Sequence, residues 1–290
     1  MSNNEKQGGL HKSVINWYPG HMAKTKRQIG EIIHLIDIVL EVIDARIPKS
    51  SKIIDMEEFT KNKPRILIMT KYDLCDKIET KKWVMYYEQL GYKVIPIDLL
   101  KDSLTVIYEA IDEIMKEIYI KRENKGMLKR RARILVVGIP NVGKSTLINK
   151  LVGKKATNTG NKPGITKSLN WIRINQELEL LDTPGILWPK FDKETSYNLA
   201  VLTAIKEEIL PIDTVCVYLL ETLNKYYPYL LKERYGIEQF DEDICVVLEQ
   251  IGSKRGCISR GGFVDYDKVY ALLLKEVKDG VIRNITFDRL

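Results

Sequence analysis

The chain has 290 residues, 44% hydrophobic and 29% charged, with a formal net charge of +7. That length supports one good core plus a smaller appended domain, and the balance is an ordinary globular one. The positive excess leans toward a polyanionic partner, although solubility alone can account for it. Cys75, Cys216, Cys245 and Cys257 form no C-x-x-C pair, and no histidine stands at metal-ligand spacing beside them. A zinc site or disulfide framework is therefore not expected, and a reducing cytoplasm fits. The polar opening, Met1 to Gly9, lacks the apolar core of a secretory signal. The apolar run Ile32 to Ile43 is interrupted by His34, Asp37 and Glu41 and is too short for a bilayer, so no membrane partner is expected.

After a Tyr18-Pro19-Gly20 turn, Met22 to Ile36 reads as a helix with Ile29, Ile32, Ile33 and Ile36 on one face. Apolar bursts at Ile38–Ile43, Arg65–Met69, Lys93–Ile97 and Ile134–Val137 read as buried strands. Helical stretches around Thr80–Leu90, Leu104–Tyr119 and Lys144–Leu151 separate them, an alternation that predicts a doubly wound, mainly parallel α/β sheet. Trp171–Ile174 and Leu178–Leu181 read as an antiparallel hairpin at the sheet edge. The connector Lys121–Arg133 carries seven basic residues and one acidic, and reads as a solvated linker or as a phosphate-backbone contact. Beyond Phe191 the strand signal fades. Val215, Leu219, Leu223 and Tyr226 recur at helical spacing, as do Val269, Leu272, Leu273 and Val277 after an Asp265 N-cap. The expected organisation is an α/β domain over 1–190 and a small helical domain over 191–290.

Gly138-x4-Gly143-Lys144-Ser145 follows a strand and opens a helix, the context a phosphate-binding loop requires. The backbone N–H groups of Asn141, Val142, Gly143, Lys144, Ser145 and Thr146 would turn around the phosphates, helped by the helix N-terminus. Lys144 would meet the β- and γ-phosphates and Ser145 would ligate Mg2+. In Asp182-Thr183-Pro184-Gly185, Asp182 can hold a magnesium-bound water and Gly185 can offer its N–H to the γ-phosphate. Between them, Thr166 in Lys162-Pro163-Gly164-Ile165-Thr166 is the candidate hydroxyl completing the magnesium shell; an ordinary loop threonine is the competing reading.

Well upstream stands Thr70-Lys71-Tyr72-Asp73, at the end of the Ile66–Met69 strand. The Asp73 carboxylate can accept from both guanine N1–H and the exocyclic amine, whereas adenine would face it with a lone pair. Lys71 would lie along the base plane and brace the phosphate loop. Thr70 stands where GTPases usually carry Asn, and its hydroxyl can make one of the two bonds of an amide. Pro96-Ile97-Asp98-Leu99 matches the next base-contacting loop by position only, with Asp98 and Leu99 expected to act through backbone contacts.

With the guanine loop preceding the phosphate loop, the chain resembles the circularly permuted GTPases, and more narrowly the ribosome-biogenesis GTPase A family. The resemblance extends to Ile15-Asn16-Trp17-Tyr18-Pro19-Gly20-His21-Met22, Asp44-Ala45-Arg46-Ile47-Pro48 and Pro140–Thr146. It continues through Asp182–Ile186, Lys254-Arg255-Gly256-Cys257 and Gly261-Gly262-Phe263-Val264-Asp265-Tyr266. It implies GTP and GDP as ligands, Mg2+, and potassium near Asn141, whose side chain has turn stabilisation as its competing role. It also implies pre-50S particles, large-subunit rRNA and ribosomal proteins as partners in late assembly; nothing in the sequence demands a dimer, and a monomer is expected. Ile186 occupies the place where many GTPases carry a water-orienting glutamine. The resemblance makes His21 the replacement candidate; a local cap or an RNA phosphate contact are its other readings. Lys254, Arg255 and Arg260 read as rRNA backbone contacts or as a solvated turn. A GTP-binding RNA chaperone with negligible turnover remains the alternative class, and Asp73 disfavours an ATPase or kinase.

Overall fold

A computed structural model describes residues 20–53, 58, 60, 63–153, 169–185, 191–202 and 211–290. Six strands form one sheet: β1 (Ile38–Asp44), β2 (Arg65–Thr70), β3 (Lys93–Pro96), β4 (Ala132–Val137), β5 (Asn170–Arg173) and β6 (Leu178–Asp182). Their order is β3-β2-β1-β4-β6-β5, parallel throughout except for β5. β1 is buried at every position and β4 at nearly every one, because helices cover both faces; the continuous apolar runs are what such burial demands. Alternate residues divide between the faces. Ile66 and Ile68 join the large core, while Leu67 and Met69 join a second cluster with Trp83, Tyr87 and Val94. The edge strand β5 is mostly exposed, as the hairpin reading requires.

From β1 the chain winds outward through β2 and β3, then returns to the other side of β1 with β4. This reversal opens a crevice at the carboxyl ends of β1 and β4, where doubly wound sheets bind ligands. The register aligns Asp44 with Thr70 and Val136 with Asp182, so the motif-bearing loops leave the sheet at one level.

The helices are α1 (Gly20–Ile32), α2 (Lys77–Gln89), α3 (Thr105–Glu123), α4 (Lys144–Val152), α5 (Lys193–Val201), α6 (Ile212–Tyr226), α7 (Pro228–Tyr235), α8 (Ile244–Arg255) and α9 (Tyr266–Lys278). α1 stops short of the expected Ile36: residues Ile33–Leu35 tighten into a 3-10 turn closed by Ile36 N–H on Ile33 O at 3.1 Å. α2 begins earlier than expected because the Asp76 carboxylate accepts from the N–H groups of Ile78 and Glu79. Asp265 caps α9 by accepting from Lys268 N–H at 3.2 Å. In α6, Val215, Leu219 and Leu223 are buried, but Tyr226 is 39% exposed with the Arg289 guanidinium 4.1 Å over its ring.

The basic connector is largely consumed by intrachain pairing, which favours the linker reading. Arg130 clamps Asp37 at 2.8 and 3.0 Å, Arg133 meets Glu179 at 2.6 Å, and Lys129 meets Glu177 at 3.1 Å. Among the helices of the second half, Glu276 binds Arg234 at 2.6 Å, Arg255 at 3.0 Å and the Tyr235 hydroxyl at 2.8 Å. Burial opposes the charge, yet these three donors hold Glu276 below the usual carboxylate range and tie α7, α8 and α9 together. No helix among the described residues is long and apolar enough to cross a membrane.

Candidate nucleotide site

β4 runs into the glycine-rich loop and α4 starts at Lys144, so a helix N-terminus aims its free N–H groups into the crevice. The loop needs its glycines. A Cβ at Gly138 would lie 2.4 Å from the Val42 carbonyl oxygen, and Gly143 has φ 97°. Asn141 also sits left-handed, at φ 63°, a conformation asparagine tolerates. Lys144 is buried and curls over its own loop, donating to Gly138 O at 2.9 Å and Ile139 O at 2.8 Å. Ser145 and Thr146 follow it, half-buried, in the first turn of α4.

Asp182 ends β6 beside this loop. Both carboxylate oxygens are buried without a hydrogen-bond partner among the described residues. Burial pushes its carboxyl up to about 6, with the Lys144 charge pulling the other way. Burial likewise pushes Lys144 down to about 8, against the attraction of Asp182. An orphaned buried carboxylate next to a phosphate cradle fits a hard divalent cation that takes one carboxylate, a hydroxyl, phosphate oxygens and water. No group of three or more His, Cys, Asp or Glu gathers for a metal among the described residues, so a dedicated all-protein cage is not the arrangement there. Thr183 anchors the following segment by donating to Val136 O at 2.8 Å. Gly185 then passes so close that a Cβ would lie 2.7 Å from Pro140 N.

On the base side, Thr70 Oγ1 lies 2.5 Å from Val142 O and 3.0 Å from Ile43 O. Lys71, left-handed at φ 56°, sends its ammonium to Asn141 O at 2.8 Å and to Asp44 Oδ2 at 2.9 Å. These contacts join the early Thr-Lys-x-Asp loop directly to the late phosphate loop. Asp73 is half-buried in the turn that follows. Leu99 reaches the same junction, its Cδ1 3.4 Å from where a Gly143 Cβ would stand. Asp98 is different: its carboxylate accepts Leu100 N–H at 2.8 Å, so the side chain is spent on its own turn.

The structure thus brings Thr70, Lys71 and Leu99 against Asn141, Val142 and Gly143, Asp182 beside Lys144, and Gly185 against Pro140. The candidate Thr166 and the position of Ile186 lie outside the described residues, as does the His21 side chain; the His21 backbone lies in the first turn of α1. Sequence reasoning had no role for Asp44, although its Asp-Ala-Arg-Ile-Pro run at a strand end was the available signal.

A glycine-rich phosphate cradle at the switch point of a parallel sheet, met in space by a guanine-type loop that precedes it in sequence, defines a circularly permuted P-loop GTPase. The profile described as "50S ribosome-binding GTPase" matches residues 133–255, and that described as "RsgA GTPase" matches residues 38–192. The chain is 47% identical over 278 residues to ribosome biogenesis GTPase A of Priestia megaterium, covering 95% of this chain and 96% of that one. With the Thermotoga maritima protein of that name it shares 32% over 276 residues, covering 95% and 94%. The crystal structure of GNP-bound YlqF from T. maritima superimposes with a TM-score of 0.67 at 28% identity, covering 92% of this chain and 98% of its own. The chain belongs to the ribosome biogenesis GTPase A family, and it is a GTP hydrolase.

The two shifted groups predict a bell-shaped pH dependence of Mg2+–GDP affinity. Below about 6, Asp182 is protonated and binding must expel that proton, so affinity falls as pH drops. Above about 8, Lys144 is neutral and binding must take up a proton, so affinity falls as pH rises. Titration calorimetry from pH 5 to 9 should show both limbs. Asp182→Asn should remove its share of the acid limb, leaving only what the nucleotide's own terminal phosphate contributes.

Proposed function

We propose that this GTPase binds the assembling 50S subunit in its GTP form and hydrolyses GTP to leave it, promoting late maturation in the cytoplasm as a monomer. The observation that carries the nucleotide reading is the pair of bonds from Thr70 and Lys71 to the Val142 and Asn141 carbonyls, which holds the loop that carries Asp73 against the phosphate loop. The ribosomal reading is supported by the 50S ribosome-binding profile over residues 133–255 and by relatives named for ribosome biogenesis.

In this reading Asp73 fixes the guanine edge, and Lys71 lines the base plane. Lys144 and the N–H groups at the start of α4 hold the phosphates. Ser145, Thr166 and, through a water, Asp182 would hold Mg2+, which neutralises charge developing on the bridging and γ-phosphate oxygens. Potassium near Asn141 would add to that neutralisation. Gly185 donates to the γ-phosphate, and His21 is the candidate that orients the attacking water when the particle is bound.

Residues 191–290 form the rRNA-contacting unit. Support comes from the Ser259–Phe263 turn at the end of α8. Two glycines, Gly261 at φ 110° and Gly262 at φ 86°, make the turn, and Ser259 N–H closes it on Phe263 O at 2.8 Å. It displays Phe263 77% exposed beside exposed Arg260, with Lys254 exposed in the last turn of α8. An exposed aromatic beside cations suits unstacked RNA bases and phosphates.

Single-turnover GTP hydrolysis with purified 50S subunits, in KCl and in NaCl, tests the reading. The particle is expected to accelerate hydrolysis, more in KCl, with binding that weakens steeply as salt rises. His21→Ala should lose most of that acceleration, on the order of 10²-fold, while keeping GTP affinity. No acceleration by 50S subunits would leave the chaperone alternative in its place.

A further inference from the structure

A buried ionic cluster joins the guanine-type loop to the C-terminal end of the chain. Asp44 and Arg46 are 2% and 1% exposed. Arg46 grips Asp44 with Nε on Oδ1 at 3.0 Å and Nη2 on Oδ2 at 2.9 Å, and the same Oδ2 takes the Lys71 ammonium at 2.9 Å. Asp44 therefore anchors the Lys71 ammonium in place against Asn141 O. Burial alone would raise the Asp44 carboxyl, but the two cations hold it well below the usual carboxylate range, so Asp44 stays ionised at any ordinary pH, while burial lowers the Lys71 ammonium from its ordinary value against the attraction of Asp44.

Arg46 also faces the other way. Its Nη1 donates to Val277 O, in the last turn of α9, at 3.0 Å, and its own carbonyl accepts Phe287 N–H at 2.8 Å. The segment after α9 returns to the opposite side of the guanine-type loop. Leu74 O accepts Asn284 N–H at 2.8 Å, and Thr286 Oγ1 accepts Asp76 N–H at 3.2 Å while lying 3.0 Å from Thr80 Oγ1. Asp288 takes the N–H groups of Lys49 and Ser50, each at 2.7 Å, and the Asn198 amide at 2.9 Å. Gly280 is pressed so near Leu74 that a Cβ would meet its Cδ2 at 2.7 Å. Asp73 thus sits on a short loop braced by the phosphate loop on one side and by residues 280–288 on the other.

We infer that Asp44 and Arg46 position the guanine-type loop against the phosphate loop, setting nucleotide affinity rather than base preference, and that through them and the 280–288 strap nucleotide binding is coupled to docking of the C-terminal helices. A nucleotide that orders the loop from the phosphate side must favour the docked strap, and by reciprocity a docked strap raises nucleotide affinity by the same factor. This rests on Asp73 reading the base. The two ideas separate cleanly, because loss of coupling weakens GTP and xanthosine nucleotides alike and leaves their ratio unchanged.

The test is hydrogen–deuterium exchange of the 284–288 amides in the full chain, with and without Mg2+–GDP, alongside GDP affinity by calorimetry. GDP is expected to slow exchange of those amides at least about fivefold. Thr286→Val, which keeps the side-chain shape but loses the Asp76 and Thr80 contacts, should weaken GDP binding about fivefold and shrink the protection, with guanine preference intact. Arg46→Lys, which cannot span Asp44 and Val277 together, should do the same. If GDP leaves exchange at 284–288 unchanged, or Thr286→Val lowers the melting temperature while binding GDP as wild type does, the strap is structural only and the inference fails.

Discussion

Changing Asp73 to asparagine is expected to exchange GTP for xanthosine triphosphate as the preferred nucleotide. The carboxylate offers two acceptors to the N1–H and amine of guanine; an amide offers one acceptor and one donor, which matches N1–H and the C2 carbonyl of xanthine. A site built around a demanded hydrogen bond discriminates by about ten-thousandfold, so the ratio of kcat/KM values for the two nucleotides should move by about that amount. The geometry makes the test specific. Thr70 carries one hydroxyl proton, and the 2.5 Å approach to Val142 O commits it to the phosphate loop. Lys71 is held between Asp44 and Asn141 O. Neither neighbour is free to take over edge recognition, so the proposed discrimination falls to Asp73. Hydrolysis measured with GTP, ATP and xanthosine triphosphate decides it: an Asp73→Asn enzyme that still prefers GTP removes Asp73 from the base.

Much of this pocket is legible in the sequence because its parts are local. The strands are short apolar runs whose burial on both faces leaves no alternation to confuse, and the phosphate loop is a contiguous motif between a strand and a helix. The hairpin is equally local, with Asn175 Oδ1 accepting the N–H groups of Glu177 and Leu178 at 2.8 Å each. Even the early start of α2 had its mark, an Asp76-x-x-Glu79 pattern that places an N-cap carboxylate just before the first turn. What escapes is non-local. Ile282, Ile285 and Phe287 are buried, yet they follow the last helix with no periodicity of their own, and the N–H groups of Ile285 and Phe287 go to Leu74 and Arg46, far back in the chain. Charge misleads in the same way. The run Lys129–Arg133 looks like an anion-binding tract until Asp37, Glu177 and Glu179 are folded against it. A buried pair such as Asp44–Arg46 reads in the sequence as two polar residues at a strand end, and only the fold shows that it touches both the base-side loop and α9.

Gly185→Ala should stop turnover while sparing GDP. The methyl group would lie 2.7 Å from Pro140 N and 2.9 Å from Pro140 Cα, and backbone atoms do not yield as a side-chain tip does. One of the two segments must therefore move. The phosphate loop is fixed from behind by Thr70 and Lys71, and Lys144 clasps the Gly138 and Ile139 carbonyls. Thr183 is anchored to Val136, but Gly185 stands two residues beyond that anchor, so the Gly185 backbone is the part that shifts. In the proposed reading, its N–H would then no longer point at the γ-phosphate. Losing one donor aimed at developing charge costs about 10²- to 10³-fold in kcat. GDP has no γ-phosphate, so its affinity should change little, and 50S subunits should not restore the rate because the lost donor is the enzyme's own. Stopped-flow GDP binding and single-turnover hydrolysis measure both quantities. Weakened GDP binding would mean that the phosphate loop moved instead, and a wild-type rate of hydrolysis would take Gly185 out of the reaction altogether.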